Sequence, residues 1–564
     1  MTLPQPTVLT RSVRYQDDAG RLLEYLARAG LIATAQDTDG PRPLDAVLLE
    51  SVDIATKVSR TTIAVLQSSA RLTCQGRSVT VEALPQAPAD GAAALDRLRS
   101  ALPVHITAEA ADSLTLTFPP VAEDLEERER LKATSTIEPL RVLAATGVDH
   151  PHLPLEAGVF AFDYLATFEA LPEVTMGTNT CPDYLFYDAR IILVIDHPTR
   201  TATLVGASVD AADLAANMDA LAAAADALAE RAPAAHAADP APAGRAAAAD
   251  TRPVLHAVPT QSDADYAAVV ESMKESIAAG DVYQVVPARG FTLPCPDALA
   301  AYHALRTSNP SPYMFYVGAP DFELLGASPE SALLHSAKTG QVAIRPIAGT
   351  RPRGLAPDGA VDHERDTRLE LELRTDAKEV AEHVMLVDLA RNDVARVSVP
   401  GTRRVEDLLR VDRYSRVMHL VSEVSGQLAP DLDALDAFRA SMTMGTLTGA
   451  PKLRAAELIR EAEGVRRGSY GGSVGYFRGD GELDTCIVIR SAFVRAGTAL
   501  VQAGAGVVAD SVPAAEAAET MHKASAVLAA VAASQGAELV IDTDIDPDAD
   551  EAPAPAAAAR EERR

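Results

Sequence analysis

Tryptophan is absent from the 564 residues, and aromatic side chains make up only 4% of them. Compositional drift explains that absence as well as any function does. Cysteine is scarce: the four residues Cys74, Cys181, Cys295 and Cys486 lie far apart and form no C-x-x-C pair. Neither a zinc site nor a disulfide framework is implied. No uncharged apolar run is long enough to span a bilayer. The opening residues Met1 to Pro6 have neither a basic segment nor an apolar one, so no secretory signal is evident. A reduced, cytoplasmic location is expected. Basic residues are outnumbered, 51 against 79 acidic, for a net charge of −28. Phosphates would be repelled over most of such a surface, which argues against a nucleic-acid partner. A local basic pocket for a small anion is still permitted.

What is present fits a globular chain: 48% hydrophobic and 23% charged residues. The length predicts at least two cores. Texture divides the chain into 1–205, with mixed helical and strand-like segments, and 206–255, an alanine-rich helix followed by a flexible Ala/Pro/Gly linker. A dense region follows at 256–535, then an acidic tail at 536–564 that is expected to be disordered. Alternate aspartates from Asp542 to Asp550 imitate a calcium loop, but Pro547 stands where the tight-turn glycine is needed, so they read as a solvated charge run.

The most informative spacing is E-x-x-E, which occurs twice. Glu379 and Glu382 lie in a segment where Val380, Val384 and Val387 recur at helical intervals, so both carboxylates share a helix face. Glu516 and Glu519 repeat the spacing just after Pro513, a residue suited to a helix start. Four carboxylates on two helices suit a hard cation such as Mg²⁺. Helix capping by Asp376 and dipole effects at Glu516 explain the same residues without a metal. Gly504-Ala505-Gly506 follows a strand-like run and can cradle an anion or simply make a tight turn. Arg490 sits in Asp484 to Ser491, a run apolar on both faces that predicts an interior strand. Its charge needs a carboxylate partner from the protein or from a substrate. His419, alone among apolar residues, reads as a satisfied core histidine. Gly471 to Gly475 imitates a nucleophile elbow, but another strand follows it, so a hairpin is expected and Ser473 is not a nucleophile.

Five segments then occur in order: Gly326 to Glu330, Pro346 to Gly354, Glu382 to Asp393, Gly445 to Lys452 and Gln502 to Gly506. They resemble the successive signatures of the chorismate-utilising enzymes over nearly all of Thr260 to Ala533, and the N-terminal region resembles that family's regulatory half. Within the family the chain looks like the large subunits of anthranilate synthases. Water-adding members carry a lysine base where Gln284 stands, and aminodeoxychorismate synthases carry a nucleophilic lysine where Ala348 stands.

The resemblance implies an α+β fold with large antiparallel sheets flanked by helices. It implies a lyase that converts chorismate and ammonia to anthranilate and pyruvate, in the first committed step of tryptophan synthesis. Mg²⁺ would be held by Glu382 and Glu519, with Glu379 and Glu516 acting through bound water. Arg490, Tyr470, Lys523 and the backbone of Gly504, Ala505 and Gly506 would bind the carboxylates of chorismate, with Gly349 and Thr350 lining the ring site. Glu330 would be the general acid, His419 the base, and Thr446 an orienting group. No cysteine nucleophile in a suitable elbow is present, so ammonia is expected from a separate glutamine amidotransferase subunit. Glu50 and Ser51, with Pro312, Tyr313 and Met314, resemble the feedback site for L-tryptophan, which would act as inhibitor. The nearest rivals are aminodeoxychorismate and aminodeoxyisochorismate synthases; a non-catalytic tryptophan sensor is a third.

Overall fold

The computed structural model describes residues 5–37, 40–53, 59–120, 125–231, 252–356, 360–413 and 417–544. Successive side chains of a strand point to opposite faces, and here both faces are often buried. In the strand Ala46–Val52, Ala46 and Leu48 enter one apolar cluster and Val47 another. The strand Tyr184–Asp196 does the same, with Ile191 and Leu193 on one side and Ile192 on the other. These are the segments that read as unbroken apolar runs.

Among the described residues, 23 strands form one hydrogen-bonded network. The long strands Ser59–Gln75 and Tyr184–Asp196 pair antiparallel across a bulge near Asp188 to Ile192, and from them the network forks. One arm runs through Ala46–Val52, Tyr313–Gly318, Glu323–Ser328, Ser491–Arg495, Thr498–Gly504, Ala288–Pro294, Val254–Pro259 and Glu538–Ile541. The other runs through Leu155–Phe160, Ser473–Arg478, Leu483–Ile487, Ser331–Ser336, Gln341–Ile344 and Val417–Gln427. That last strand also carries Ile347–Pro352 and Arg404–Arg413. Every pairing is antiparallel except the last of the first arm.

Between the arms lies a cluster with residues of both, including Val47, Phe315 and Phe493 from the first and Val159, Val474 and Cys486 from the second. Helices cover the outer faces. Ala19–Arg28, Ala298–Ser308 and Pro513–Ser534 bury Leu23, Leu305 and Val527 against the first arm. Pro88–Ala101, Ala377–Val397 and Ala434–Ser441 bury Leu98, Val394 and Phe438 against the second. Each such fully buried side chain contributes about 1.5–3 kcal/mol. The fold is α+β, with the antiparallel sheets and flanking helices that the resemblance implied.

The regions drawn from texture do not form separate cores. Ala46–Val52 is an inner strand against Tyr313–Gly318, and Leu155–Phe160 is one against Ser473–Arg478, so residues before 205 and after 256 share both arms. The alanine-rich segment is the helix Ala211–Arg231. The linker at 232–251 and the tail at 545–564 lie outside the described residues. The first residues assigned to the tail are not disordered: Glu538–Ile541 adds beside Val254–Pro259, with Leu539 and Ile541 packed on the core. Residues 473–487 form the expected hairpin.

Candidate active site

The chain passes between the two arms at two adjacent places. Glu323–Ser328 of the first arm leads through Pro329 and Glu330 into Ser331–Ser336 of the second. Leu483–Ile487 of the second returns through Val488, Ile489 and Arg490 to Ser491–Arg495 of the first. The crossings bond to each other: the Ile487 N–H donates to the Glu330 carbonyl at 3.0 Å, and the Ala327 N–H to the Arg490 carbonyl at 3.0 Å. Arg490 is therefore not inside a strand, as its apolar surroundings predicted. It stands at a bend with φ 51°, and the flanking residues are apolar because the crossing itself is buried.

Glu330 and Arg490 open onto a cavity of about 460 Å³. Two helices supply one wall. Asp376 caps Ala377–Val397, accepting from the Lys378 and Glu379 N–H groups, and so aims Glu379 and Glu382 inward. Pro513 opens the helix Pro513–Ser534, which presents Glu516, Glu519 and Lys523. Gln284, Ala348, Gly349, Thr350, His419, Thr446, Tyr470, Gly504 and Gly506 also line it among the residues singled out from sequence. Ala505 is not part of it. Its N–H points into the protein, toward the Pro287 carbonyl and the Tyr266 hydroxyl, both at 3.3 Å. The expected cradle of three consecutive residues is therefore contributed by the two glycines alone. Gly349 is required by its backbone, with φ 76° at a bulge, and a Cβ there would stand 3.1 Å from Glu379 Oε2.

Burial sets the electrostatics. It pushes the Glu330 carboxyl up to about 8, against the pull of Thr446, the Ile347 N–H and Lys523. That carboxyl is neutral at pH 7 and can donate a proton. Burial also lowers the Arg490 guanidinium, although Tyr470 and Glu519 favour its charge. Among the described residues no carboxylate pairs with Arg490 within 4.0 Å; its Nη1 donates to the Lys523 carbonyl at 2.8 Å. Burial pushes the Tyr470 hydroxyl up to about 12. His419 is held down to about 4 by burial, with Nδ1 3.2 Å from the Gly349 carbonyl and 3.0 Å from Thr350 Oγ1. A proton on Nδ1 directed at that carbonyl leaves the lone pair on Nε2.

The acidic wall is self-repelling. Burial and then the neighbouring Glu379 raise Glu382; burial and, more weakly, Glu519 raise Glu516. Glu379 is tied to Arg351 at 2.7 Å and Glu519 to Lys523 at 2.7 Å. Among the described residues these side chains do not close into a group of three able to hold a metal ion.

Sequence reasoning assigned no role to Gln502 or Lys378, which also line the cavity. Gln502 accepts from Asn179 Nδ2 at 2.8 Å, a contact across more than 300 residues that leaves no local trace.

A second, smaller cavity of about 80 Å³ lies between the arms, lined by Glu50, Ser51, Tyr313 and Met314. Tyr313 pairs with Ser51 and Met314 with Glu50 in the strand ladder. Pro312 lies beside it, its carbonyl accepting from the Val52 N–H at 3.3 Å. The opposite wall, Val474, Tyr476, Asp484 and Cys486, was not anticipated. Nothing in its local pattern distinguishes it from a buried hairpin.

Residues 99–529 match the family model described as chorismate binding enzyme. The chain is 49% identical to anthranilate synthase component 1 of Escherichia coli K12 over 551 residues, covering 95% of this chain and 99% of that one. It is 46% identical to the component 1 of Salmonella typhimurium, with the same coverage. The crystal structure of anthranilate synthase component I from Streptococcus pneumoniae TIGR4 superposes with a TM-score of 0.61 at 27% identity, covering 83% of this chain and 92% of that one. The menaquinone-specific isochorismate synthase of Escherichia coli, at 18% identity and TM-score 0.57 over 94% and 95% of the two chains, shares the fold. By the family model and by its relatives, the chain belongs to the chorismate-binding enzymes, in the anthranilate synthase component 1 family.

Proposed function

We propose that this chain adds ammonia to chorismate and eliminates pyruvate to give anthranilate, in the cavity between the sheet crossings. The observation that carries this reading is that a neutral Glu330 and a part-buried Arg490, a cation with no carboxylate partner among the described residues, face one cavity. An anionic substrate would supply the missing charge, and the acid would stand beside it.

Arg490, Tyr470 and Lys523, with the backbone at Gly504 and Gly506, hold the substrate's carboxylates; Gly349 and Thr350 border the ring. As ammonia bonds to the ring, Glu330 gives its proton to the departing hydroxyl, which leaves as water. Thr446, whose hydroxyl stands against the Glu330 carboxyl, orients these groups. His419 takes the ring proton at the carbon bearing the new amine, and the released electron pair expels pyruvate as the ring becomes aromatic.

Glu379, Glu382, Glu516 and Glu519 face one cavity, and although they are not closed on a common point, their carboxylate oxygens are the donors a hard divalent cation takes. Glu382 and Glu519 would hold Mg²⁺, with Glu379 and Glu516 through water, and the ion would fix the ring carboxylate and offset its charge. A glutamine amidotransferase subunit would deliver ammonia. L-Tryptophan would bind at Glu50, Ser51, Pro312, Tyr313 and Met314 and inhibit. That pocket is walled by both the early and the late part of the chain, which suits coupling through the shared sheets.

Anthranilate fluorescence from purified protein with chorismate, Mg²⁺ and ammonium, with and without L-tryptophan, tests the reading. A signal that needs Mg²⁺ and falls with tryptophan is expected. Chorismate consumed without fluorescence would point to an aminodeoxy product, and no consumption would leave a tryptophan sensor.

A further inference from the structure

The link Ser328-Pro329-Glu330 runs from beside the smaller cavity to the wall of the larger one, which Pro329 and Glu330 line. Tyr313, which lines the smaller one, is the cross-strand partner of Ser328. Ser328 is fully buried, and its hydroxyl serves both backbone groups of the acid. Oγ accepts from the Glu330 N–H at 3.3 Å and lies 3.3 Å from the Glu330 carbonyl, to which it can donate. The same carbonyl accepts from the Ile487 N–H at 3.0 Å. Cys486, next in the chain, lines the smaller cavity and pairs with Ser331 in the ladder. The backbone of Glu330 is thus gripped from two directions by residues one step from the smaller cavity.

We propose that Ser328 is a positioning residue that transmits the state of the Tyr313 pocket to Glu330. A ligand that spreads or shifts the strand at Tyr313 moves Ser328 with it, because the two share a ladder. Ser328 in turn carries the Glu330 backbone and so redirects the acid without blocking the cavity. Such coupling is reciprocal: whatever tryptophan does to chorismate binding, chorismate must do to tryptophan binding. The inference rests on the tryptophan-feedback reading above, and its test separates the two.

Equilibrium dialysis of labelled L-tryptophan against the full chain, with and without chorismate and with no ammonium or glutamine, measures the coupling. In the unaltered protein chorismate should weaken tryptophan binding by about fivefold or more, within the range usual for coupled sites. Ser328→Ala should bind tryptophan alone with unchanged Kd but lose the coupling, and Ser328→Thr, which keeps the hydroxyl, should retain it. Full coupling in Ser328→Ala would overturn the proposal. So would loss of tryptophan binding in that variant, because Ser328 lies outside the pocket lining. Failure of the unaltered protein to bind tryptophan would instead overturn the feedback reading itself.

Discussion

Glu330 and Arg490 stand on neighbouring crossings between the two arms, each crossing donating one backbone hydrogen bond of 3.0 Å to the other's functional residue. An acid and a cation are thereby fixed on the wall of one cavity without an ion pair between them. Arg490 is costly to the fold, since its part-buried charge has lost hydration that a carbonyl partner and the more distant Tyr470 and Glu519 replace only in part. Replacing it by a neutral chain of similar length should release that cost. Arg490→Met is therefore expected to melt at a higher temperature than the unaltered protein, while kcat/KM for chorismate falls by about 30-fold to 1,000-fold, on the order of 2–4 kcal/mol of lost charge recognition. Differential scanning fluorimetry and steady-state anthranilate assays check both halves. A variant less stable than the parent would mean that Arg490 is already compensated in the free protein.

The raised Glu330 carboxyl fixes a pH dependence. Its folded value of about 8 exceeds its ordinary value of 4.5, so the folded state holds a proton that the unfolded chain releases. Stability is therefore lost as pH rises from 4.5 to 8, by on the order of 4–5 kcal/mol at most. Glu330→Gln removes that titration and should gain stability over the parent progressively across this window. As the proposed general acid, Glu330 must be protonated, so kcat should fall above about pH 8. The glutamine variant should lose about 10²-fold to 10⁴-fold in rate and show no such limb. Denaturant melts and rate profiles between about pH 3.5 and about pH 9 would read both effects, since that range spans the two values.

Much of this arrangement was legible in the sequence for a physical reason. Glu379 with Glu382, and Glu516 with Glu519, are local pairs whose spacing alone puts them on one helix face, and both pairs line the cavity. Long-range features were not legible. The run Asp484 to Ser491 read as a strand because Ile487 and Val488 are as buried in the crossing as they would be in a sheet. Nor does an arginine at φ 51° announce a bend, as a glycine would. His419 gave no local sign of function, since its partners Gly349 and Thr350 lie about 70 residues away. Ala505 was misjudged because strand-end glycines do not say which N–H groups are already used. The merging of the two regions into shared sheets depends on ladders such as Tyr313 with Ser51, which pair segments more than 250 residues apart.

The acidic wall predicts a cation-dependent stability. With burial first and like charges second raising Glu382 and Glu516, a bound divalent ion offsets both costs in the folded state only. Mg²⁺ should therefore raise the unfolding temperature, by about the stabilisation that free ligand at 100 times its Kd gives, roughly 2.7 kcal/mol. Glu382→Gln should unfold at a higher temperature than the parent in chelator, because one repelling charge is gone, yet gain little when Mg²⁺ is added. Thermal melts with Mg²⁺ and with EDTA decide the matter. An equal Mg²⁺ shift in both proteins would place the ion elsewhere.

Glu50 and Ser51 are adjacent at the smaller cavity but differ in what else they hold. The Glu50 side chain is fully buried, accepting from Arg306 Nε at 2.9 Å and from the Tyr302 hydroxyl, so it ties its strand to the helix Ala298–Ser308. Among the described residues the Ser51 hydroxyl bonds only to the backbone of Thr61, donating to its carbonyl at 3.3 Å and accepting from its N–H at 3.1 Å. Glu50→Ala would leave Arg306 with the more distant Asp18 carboxylate at 3.9 Å and the Asp17 carbonyl, which is costly when the close partner of a buried pair is removed. It is expected to lower stability by about 3 kcal/mol and to abolish tryptophan inhibition at the same time. Ser51→Ala should weaken inhibition with stability within about 0.5 kcal/mol of the parent, as for other surface changes. Urea melts paired with tryptophan titrations of activity separate the two. If Ser51→Ala left inhibition intact while Glu50→Ala removed it, the feedback defect would follow from the disturbed helix rather than from lost contact with the ligand.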